Sequence, residues 1–569
     1  MTLGILEPGN AENVPGTSFV YDDSSRPGQN GELDSRLKYD RTGHVPIILV
    51  PQPSDDPNDP LNWPLWKRDS ILVILSILSV IASTLSPLLA ANTVTLSLIF
   101  HRDFTQMALA TGYHLLGVGL AGLLFVASAR VWGKRHLYLL GTIVIIISSA
   151  WGGATKHNYK SLLWARIFQG IGLAPFEALV NASVGDLYFV HERGKRMALS
   201  NLALFGGAFF TPILVGKITH TIGWPWTFYF IAIFCGVMLP FVILFVPETA
   251  FRRDASFNTD ITGREAAHQG PLSHSRQEDG GHPEEMAKSP QSPGSSIPAS
   301  LEKTSPETLE EQSRIAVPRK ITFVQSLSPF NGRKTDESFF KLVLRPFPLF
   351  LHPAVLWACM IQGTLIGWTV MIGVVLAAIF LGPPLWFDEV QTGYMYTGPF
   401  IGAILGFFLA GILADWTGKA MTKRNKGVFE PEFRIVLVTV QLVIGCAGLY
   451  GFGITSNNVN RYGWLWPDFF YALEVMGMVL GAVASALYVV DAHREIAVEA
   501  FTCLLIFKNV FSFGLTFGAY GWLVDGGILK VFYAIASVQV GICLLSIPMC
   551  KVPRIEEPCA ASKANALLL

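Results

Sequence analysis

Twelve apolar runs, each long enough to cross a bilayer as a helix, are strung along this chain as six, a pause, and six more. About twenty helical residues span the ~30 Å of hydrocarbon. On that scale the runs fall near 71–97, 107–128, 136–154, 161–182, 197–219 and 226–247, then near 353–381, 393–413, 433–453, 467–490, 498–523 and 529–550. Backbone groups find no water at that depth, so runs of this kind are helices bundled together. Pro175, Pro212 and Pro240 do not exclude helix, because neighbouring helices satisfy the freed groups. The expected fold is an all-α membrane protein with twelve transmembrane helices in two six-helix bundles.

Charge supports this reading by where it sits. Only 15% of the residues are charged, against about a quarter in a soluble chain, and the apolar runs carry almost none. Positive residues collect in alternate short loops: Arg130, Lys134 and Arg135; Arg193, Lys195 and Arg196; Lys419, Lys423, Arg424 and Lys426. Loops on the other side are poorer, with Arg102, Lys156 and Lys160. The positive-inside bias then places both termini and the central loop in the cytoplasm. The first seventy residues are polar, so no cleaved leader is expected and the first run serves as the insertion signal. The 42 basic and 42 acidic residues balance, and no basic block with interleaved aromatics points to nucleic acid. Seven scattered cysteines have neither zinc nor disulfide spacing, and no Gly-Lys pair continues into a phosphate-binding loop, so no cofactor or metal is expected.

These patterns divide the chain into an N-terminal cytoplasmic segment (1–69), a first bundle (70–249), a linker (250–350), a second bundle (351–550) and a tail (551–569). The linker is rich in Ser, Pro, Glu and Lys, and its composition cannot bury enough apolar surface to offset ordering. It and the N-terminal segment are expected to be mostly disordered, with a short amphipathic helix near 336–345. Ser289, Ser292 and Ser305, each followed by proline, are candidate phosphorylation sites.

Several charged and polar residues interrupt the apolar runs. In the fourth, Glu177 lies eleven positions past Arg166, which on a helix is about 20° round and roughly 16 Å deeper. Gln169, Gly170 and Asn181 fall within about 60° of that line. A stripe with two opposite charges must face a cavity or a partner rather than lipid. The tenth run carries Glu474, with Gly481, Ser485 and Tyr488 within about 40° of its face. The eleventh carries Lys508 and Asn509. Asn92, His114, Gln362 and Trp368 are further polar or aromatic residues at membrane depth.

The eighth run ends Gly411-Ile-Leu-Ala-Asp415-Trp-Thr-Gly418-Lys419. This resembles the loop signature of the major facilitator superfamily, and implies a close helix contact at Gly411, a tight turn at Gly418 and a carboxylate poised to engage the closing face. In the first half Gly133-Lys134-Arg135 stands at the corresponding place, but Val126 and Arg130 replace the glycine and the acid, which puts a latch role there in doubt. Arg166-Ile-Phe-Gln169-Gly170-Ile-Gly172 resembles the family's fourth-helix motif, whose arginine is associated with proton coupling. Asp186 with Glu192-Arg193-Gly194-Lys195-Arg196 resembles its fourth-to-fifth loop, a gating element. Of the antiporter signature in the fifth helix only Pro212 and Gly216 match, Thr211 and Val215 replacing glycines. The stretches Asp56 to Lys67, Pro247-Glu248-Thr249, and Tyr488 to Asp491 with Glu499-Ala500 are similar to fungal twelve-span drug:proton antiporter-like transporters.

The resemblance implies two pseudo-symmetric bundles of inverted repeats around a cavity lined mainly by helices 1, 4, 7 and 10. It also implies a secondary transporter, expected to be a monomer in the plasma membrane, that exports a small amphipathic drug or metabolite in exchange for protons. Glu177 would load the proton with Arg166 tuning it; Glu474 would bind a cationic substrate or share the coupling with Lys508. Asn92, His114, Gln169, Asn181, Gln362, Trp368, Ser485 and Tyr488 would line the cavity. Proton-coupled uptake of organic cations such as polyamines is the alternative, and a transporter-like receptor the third. No nucleophile, base and orienting partner occur together, so no enzyme is expected.

Overall fold

The computed structural model describes residues 18–19, 38–40, 47–49, 51–252, 320–382, 384–425, 428–493 and 496–549. The three Ser-Pro sites, the tail and most of the linker lie outside them. Apart from two pairs of two-residue strands, the described chain is helical. In the first half the helices are α1 (Leu65–Ser83), α2 (Thr93–Phe100), α3 (Phe104–Trp132), α4 (Arg135–Gly153), α5 (Tyr159–Ala178), α6 (Val180–Leu187), α7 (Val190–Ile222) and α8 (Pro225–Phe245). A linker helix, α9 (Phe339–Leu344), precedes α10 (Pro353–Phe380), α11 (Glu389–Tyr394), α12 (Thr397–Arg424), α13 (Leu437–Asn457), α14 (Leu465–Ala492), α15 (Ala497–Gly526) and α16 (Ile528–Leu544).

Among the described residues eleven helical stretches are long and apolar enough to cross a membrane. The twelfth expected span, the first in the chain, is instead built from two pieces. Helix α1 carries Lys67, Arg68 and Asp69 near its start and stops at Ser83; the chain turns through residues 84–92 before α2. Pro87 explains the stop: it has no N–H to give, and its ring disfavours helix at the residue before it. Short turn bonds from Leu85 to Ala82, Ser86 to Ser83 and Ala90 to Pro87 replace the helical ladder.

Each half repeats one pattern of packing. In the first, α3 packs on α5, α4 on α8 and α1 on α7; in the second, α12 packs on α14, α13 on α16 and α10 on α15. The spans correspond one to one, so the bundles are pseudo-symmetric. Two seams join them, α3 against α15 and α7 against α11 and α12. Small residues make both seams tight: a side chain on Gly112 would collide with Thr516, and one on Gly393 with the carbonyl of Pro212.

The face that carries the basic loops is tied together by capping. Gly133 ends α3 at φ 93°, a conformation that favours glycine, and a side chain there would strike the Glu248 carboxylate. That carboxylate accepts from the backbone N–H groups of Lys134 (2.9 Å), Arg135 (3.0 Å) and Ala250 (2.8 Å), so the Pro-Glu-Thr stretch caps α4 from the end of the sixth span. The buried Arg135 guanidinium donates to the carbonyls of Ile243 and Val246 at the end of α8. Glu248→Ala is expected to cost about 2 kcal/mol, at the upper end for a lost helix cap. A lowered unfolding temperature of the detergent-purified protein, without a change in transport direction, would show it.

Residues 51–64 and 320–350, which flank the first and second bundles, make specific contacts. The buried Asp59 accepts from Leu61 N and from the N–H and hydroxyl of Ser54, while Asn62 reaches the carbonyls of Ser54 and Asp56. In the linker Lys334 N donates to Val131 O at 2.7 Å and Phe339 lies against Trp132. Arg252 pairs with Asp336 there, and that hydrogen bond holds the Asp336 carboxyl below the ordinary carboxylate range. The expected amphipathic helix is α9, which buries Leu342 among Ala127 and Val131 of α3.

Candidate functional site

Between the bundles lies a cavity with about 170 Å³ available to water centres. Its walls are mostly apolar, with Phe205, Phe209, Tyr396 and Tyr471 as the large side chains. Polar groups are few: hydroxyls such as Ser86, Thr369 and Ser512, the amide of Asn509, and two charges, Glu177 and Lys508. The first, fourth, seventh and tenth spans contribute as the resemblance implies, and the second, fifth, eighth and eleventh contribute as well.

The two charges form an ion pair, Lys508 Nζ to Glu177 Oε1. Glu177 stands at the end of α5 in the first bundle and Lys508 in α15 of the second, so the contact bridges the halves across the cavity wall. Their side chains are only 12% and 13% exposed. Two opposite charges held this far from water are satisfied chiefly by each other, and removing either leaves the other uncompensated.

Arg166 is placed elsewhere. Its fully buried guanidinium enters the break in the first span and donates from Nη1 to Leu85 O at 2.7 Å and from Nη2 to Ser86 O at 3.4 Å. A further bond runs to Gln169 Oε1 at 2.9 Å. No carboxylate pairs with it among the described residues, so its donors serve carbonyls that the interruption before Pro87 sets free. Gln169 passes the contact on to Ser149 at 3.1 Å, and His114 lies between Arg166 O and Ser86 Oγ. Gly170 permits this arrangement, since a side chain there would strike His114 O. The fourth-helix motif is a brace that holds the broken first span, and with it the Ser86–Pro87 part of the cavity wall.

Glu474 is buried just behind the opposite wall. Its Oε1 accepts from Thr369 Oγ1 at 2.8 Å, and its Oε2 has no partner among the described residues. Thr369, Tyr471 and Met478, all on the cavity wall, separate it from the open space.

None of the eight polar or aromatic residues expected to line the cavity is on its wall. His114 and Gln169 belong to the Arg166 brace. Asn92 donates to Thr219, and Asn181 joins Asn201 and Ser200. Gln362 accepts from Ser485 at 3.4 Å, Trp368 donates to Gln539 at 3.1 Å, and Tyr488 packs on Trp357. Each is spent on contacts between or within helices. The wall residues that were missed are mainly aromatic or small. A usable signal existed for Ser512, which shares a helix face with Lys508 one turn away.

The gating signatures are also rearranged. Helix α12 runs unbroken to Arg424, so the tight turn expected at Gly418 does not form there, and among the described residues no other helix lies within 4 Å of where a Gly411 side chain would project. Asp415 and Lys419 are exposed. It is the first copy that turns at its glycine, Gly133, and whose Lys134 pairs with Asp186 at 2.6 Å. Arg193 donates to the carbonyls of Tyr188 and Gly185 within its own bundle. Pro212 and Gly216 lie on the α7–α11 seam, against Gly393 and Glu389.

The chain matches the Major Facilitator Superfamily over residues 71–498. It belongs to that family. Among relatives of this superfamily chain, Protein HOL1 of Saccharomyces cerevisiae is 25% identical, the match covering 94% of each. Multidrug transporter TPO1_2 of Candida glabrata is 22% identical, with 86% of this chain and 77% of the relative covered. The proton:xylose symporter XylE of E. coli shares the fold with a TM-score of 0.53 at 14% identity, over 86% of this chain and 96% of its own. The protein is therefore a membrane transporter of the superfamily.

Proposed function

We propose that this transporter exports small amphipathic molecules in exchange for protons, by alternating access, with its basic face in the cytoplasm of a cell bounded by the plasma membrane that holds it. The Glu177–Lys508 pair carries the reading. With Glu177 ionised the cavity is electrically neutral and the two bundles are held together at its wall. A proton on Glu177 discharges the pair and leaves Lys508 as a lone cation in a low-dielectric space, which repels a cationic amphiphile and loosens the contact between halves. Proton and cargo then exclude one another, and exclusion is what exchange requires. The aromatic, largely apolar wall suits cargo with a broad hydrophobic surface and little polar area. The name of the Candida relative, a multidrug transporter, points the same way.

Glu474 gives a second buried carboxylate near the wall, and its Oε2, without a partner among the described residues, is available to a cationic group if Thr369 or Tyr471 moves aside. Inside-out vesicles carrying the protein, acidified in the lumen, should accumulate ethidium, a fluorescent amphipathic cation. Ethidium entry driven by acid on the outside instead would establish uptake by symport, the alternative reading.

A further inference from the structure

The first copy of the loop signature holds Arg130 where the second holds Asp415, and in the fold Arg130 has a partner. Its Nη1 donates to Glu499 Oε1 at 2.6 Å, joining the basic-face end of α3 to the first turn of α15. These helices belong to different bundles. Glu499 is 4% exposed, and a carboxylate so buried persists as an ion only beside cations and donors. Arg345, just after α9, supplies a second cation, its Nε 3.3 Å from the same oxygen. Deeper in the membrane the same seam is closed by side chains seated on glycines, Leu505 on Gly122 and Asn509 on Gly119. At the corresponding place in the second half Asp415 is exposed, and among the described residues no neighbouring helix comes within 4 Å of where a Gly411 side chain would project.

We propose that Arg130 and Glu499 are the latch of the basic-face gate, a charge-exchanged counterpart of the signature acid, and that Arg345 fastens the linker to it. The cavity opens to the basic face only if the bundles part there, and this pair lies across the parting line. Attraction between the halves does not depend on which half bears which sign, so the exchange preserves the latch while erasing the residue pattern. Opening must pull a buried carboxylate from two guanidinium groups, which biases the transporter towards the closed arrangement. The inference rests on alternating access alone, whichever ion drives it.

The test uses the full chain on a cysteine-free background with a single cysteine replacing Leu204 on the cavity wall. A membrane-impermeant maleimide is applied from the basic side of inside-out vesicles. Arg130→Gln and Glu499→Gln should each raise the labelling rate about tenfold, and the double variant should label no faster than either single, as expected of one coupled pair. Arg130→Lys, which keeps the charge, should label like the parent. Unchanged labelling in the single variants, or effects that multiply in the double, overturns the latch. Should the single variants fail to accumulate, recovery in the double, which leaves neither charge alone, supports the pair; failure of all three overturns it.

Discussion

Glu177→Gln, delivered normally to the membrane, is expected to lose ethidium accumulation driven by a pH gradient, down to the level of passive leak. Glutamine fixes the site in the form it has when protonated, so Lys508 is left without its counter-charge. An ion pair at about 4 Å in an effective dielectric near 20 is worth roughly 4 kcal/mol, which corresponds to about a thousandfold in the balance between paired and parted halves. The variant should therefore also bind ethidium weakly. Adding Lys508→Gln removes the stranded charge, and the double variant should regain ethidium binding while staying uncoupled from the gradient. Vesicle fluorescence with and without an imposed gradient separates the two properties.

Arg166→Ala should act on the fold before it acts on coupling. It strips the donor from Leu85 O, Ser86 O and Gln169 Oε1, all in a buried site. Each unsatisfied buried acceptor costs about 1–3 kcal/mol, so the loss is at least about 3 kcal/mol, a large part of a typical folding margin of about 5–15 kcal/mol. Thermal unfolding in detergent should shift down by about 3 °C or more, with poor accumulation in the membrane. Arg166→Lys retains the charge but cannot fork to two carbonyls, and should recover only part of the shift. A variant of full stability that had merely lost its response to pH would return Arg166 to the coupling role suggested by the motif.

Hydrophobic length was enough to read most of the architecture, because a bilayer leaves helices so little choice. It failed at the first span, where Leu85-Ser-Pro-Leu-Leu-Ala-Ala is as apolar as a helix but cannot complete the ladder at Pro87. Helical spacing puts Arg166 and Glu177 on one stripe, yet a stripe does not say which neighbour faces each end. One end meets the broken first span and the other the opposite bundle, and only the packing of twelve spans decides that. The cavity was misread for a related reason. Polar side chains at membrane depth settle where another helix satisfies them, as Asn92, Trp368 and Ser485 do. The wall around the cargo space is left to Phe205, Phe209 and Tyr471, which look like ordinary core residues in a sequence. Arg130 escaped because the signature was sought by residue type, whereas the physics asks only for opposite charges across the seam.

The exchange of proton for cargo at one ion pair is tested most directly by the pH dependence of ethidium binding to the purified transporter, followed by fluorescence without any membrane gradient. If Glu177 must be ionised for cargo to bind, affinity of the parent falls by up to about tenfold per pH unit as the solution is acidified, and Glu177→Gln with Lys508→Gln binds with an affinity that does not vary with pH. An equally steep acid loss in that double variant would place the exchanged proton on another group and contradict the account.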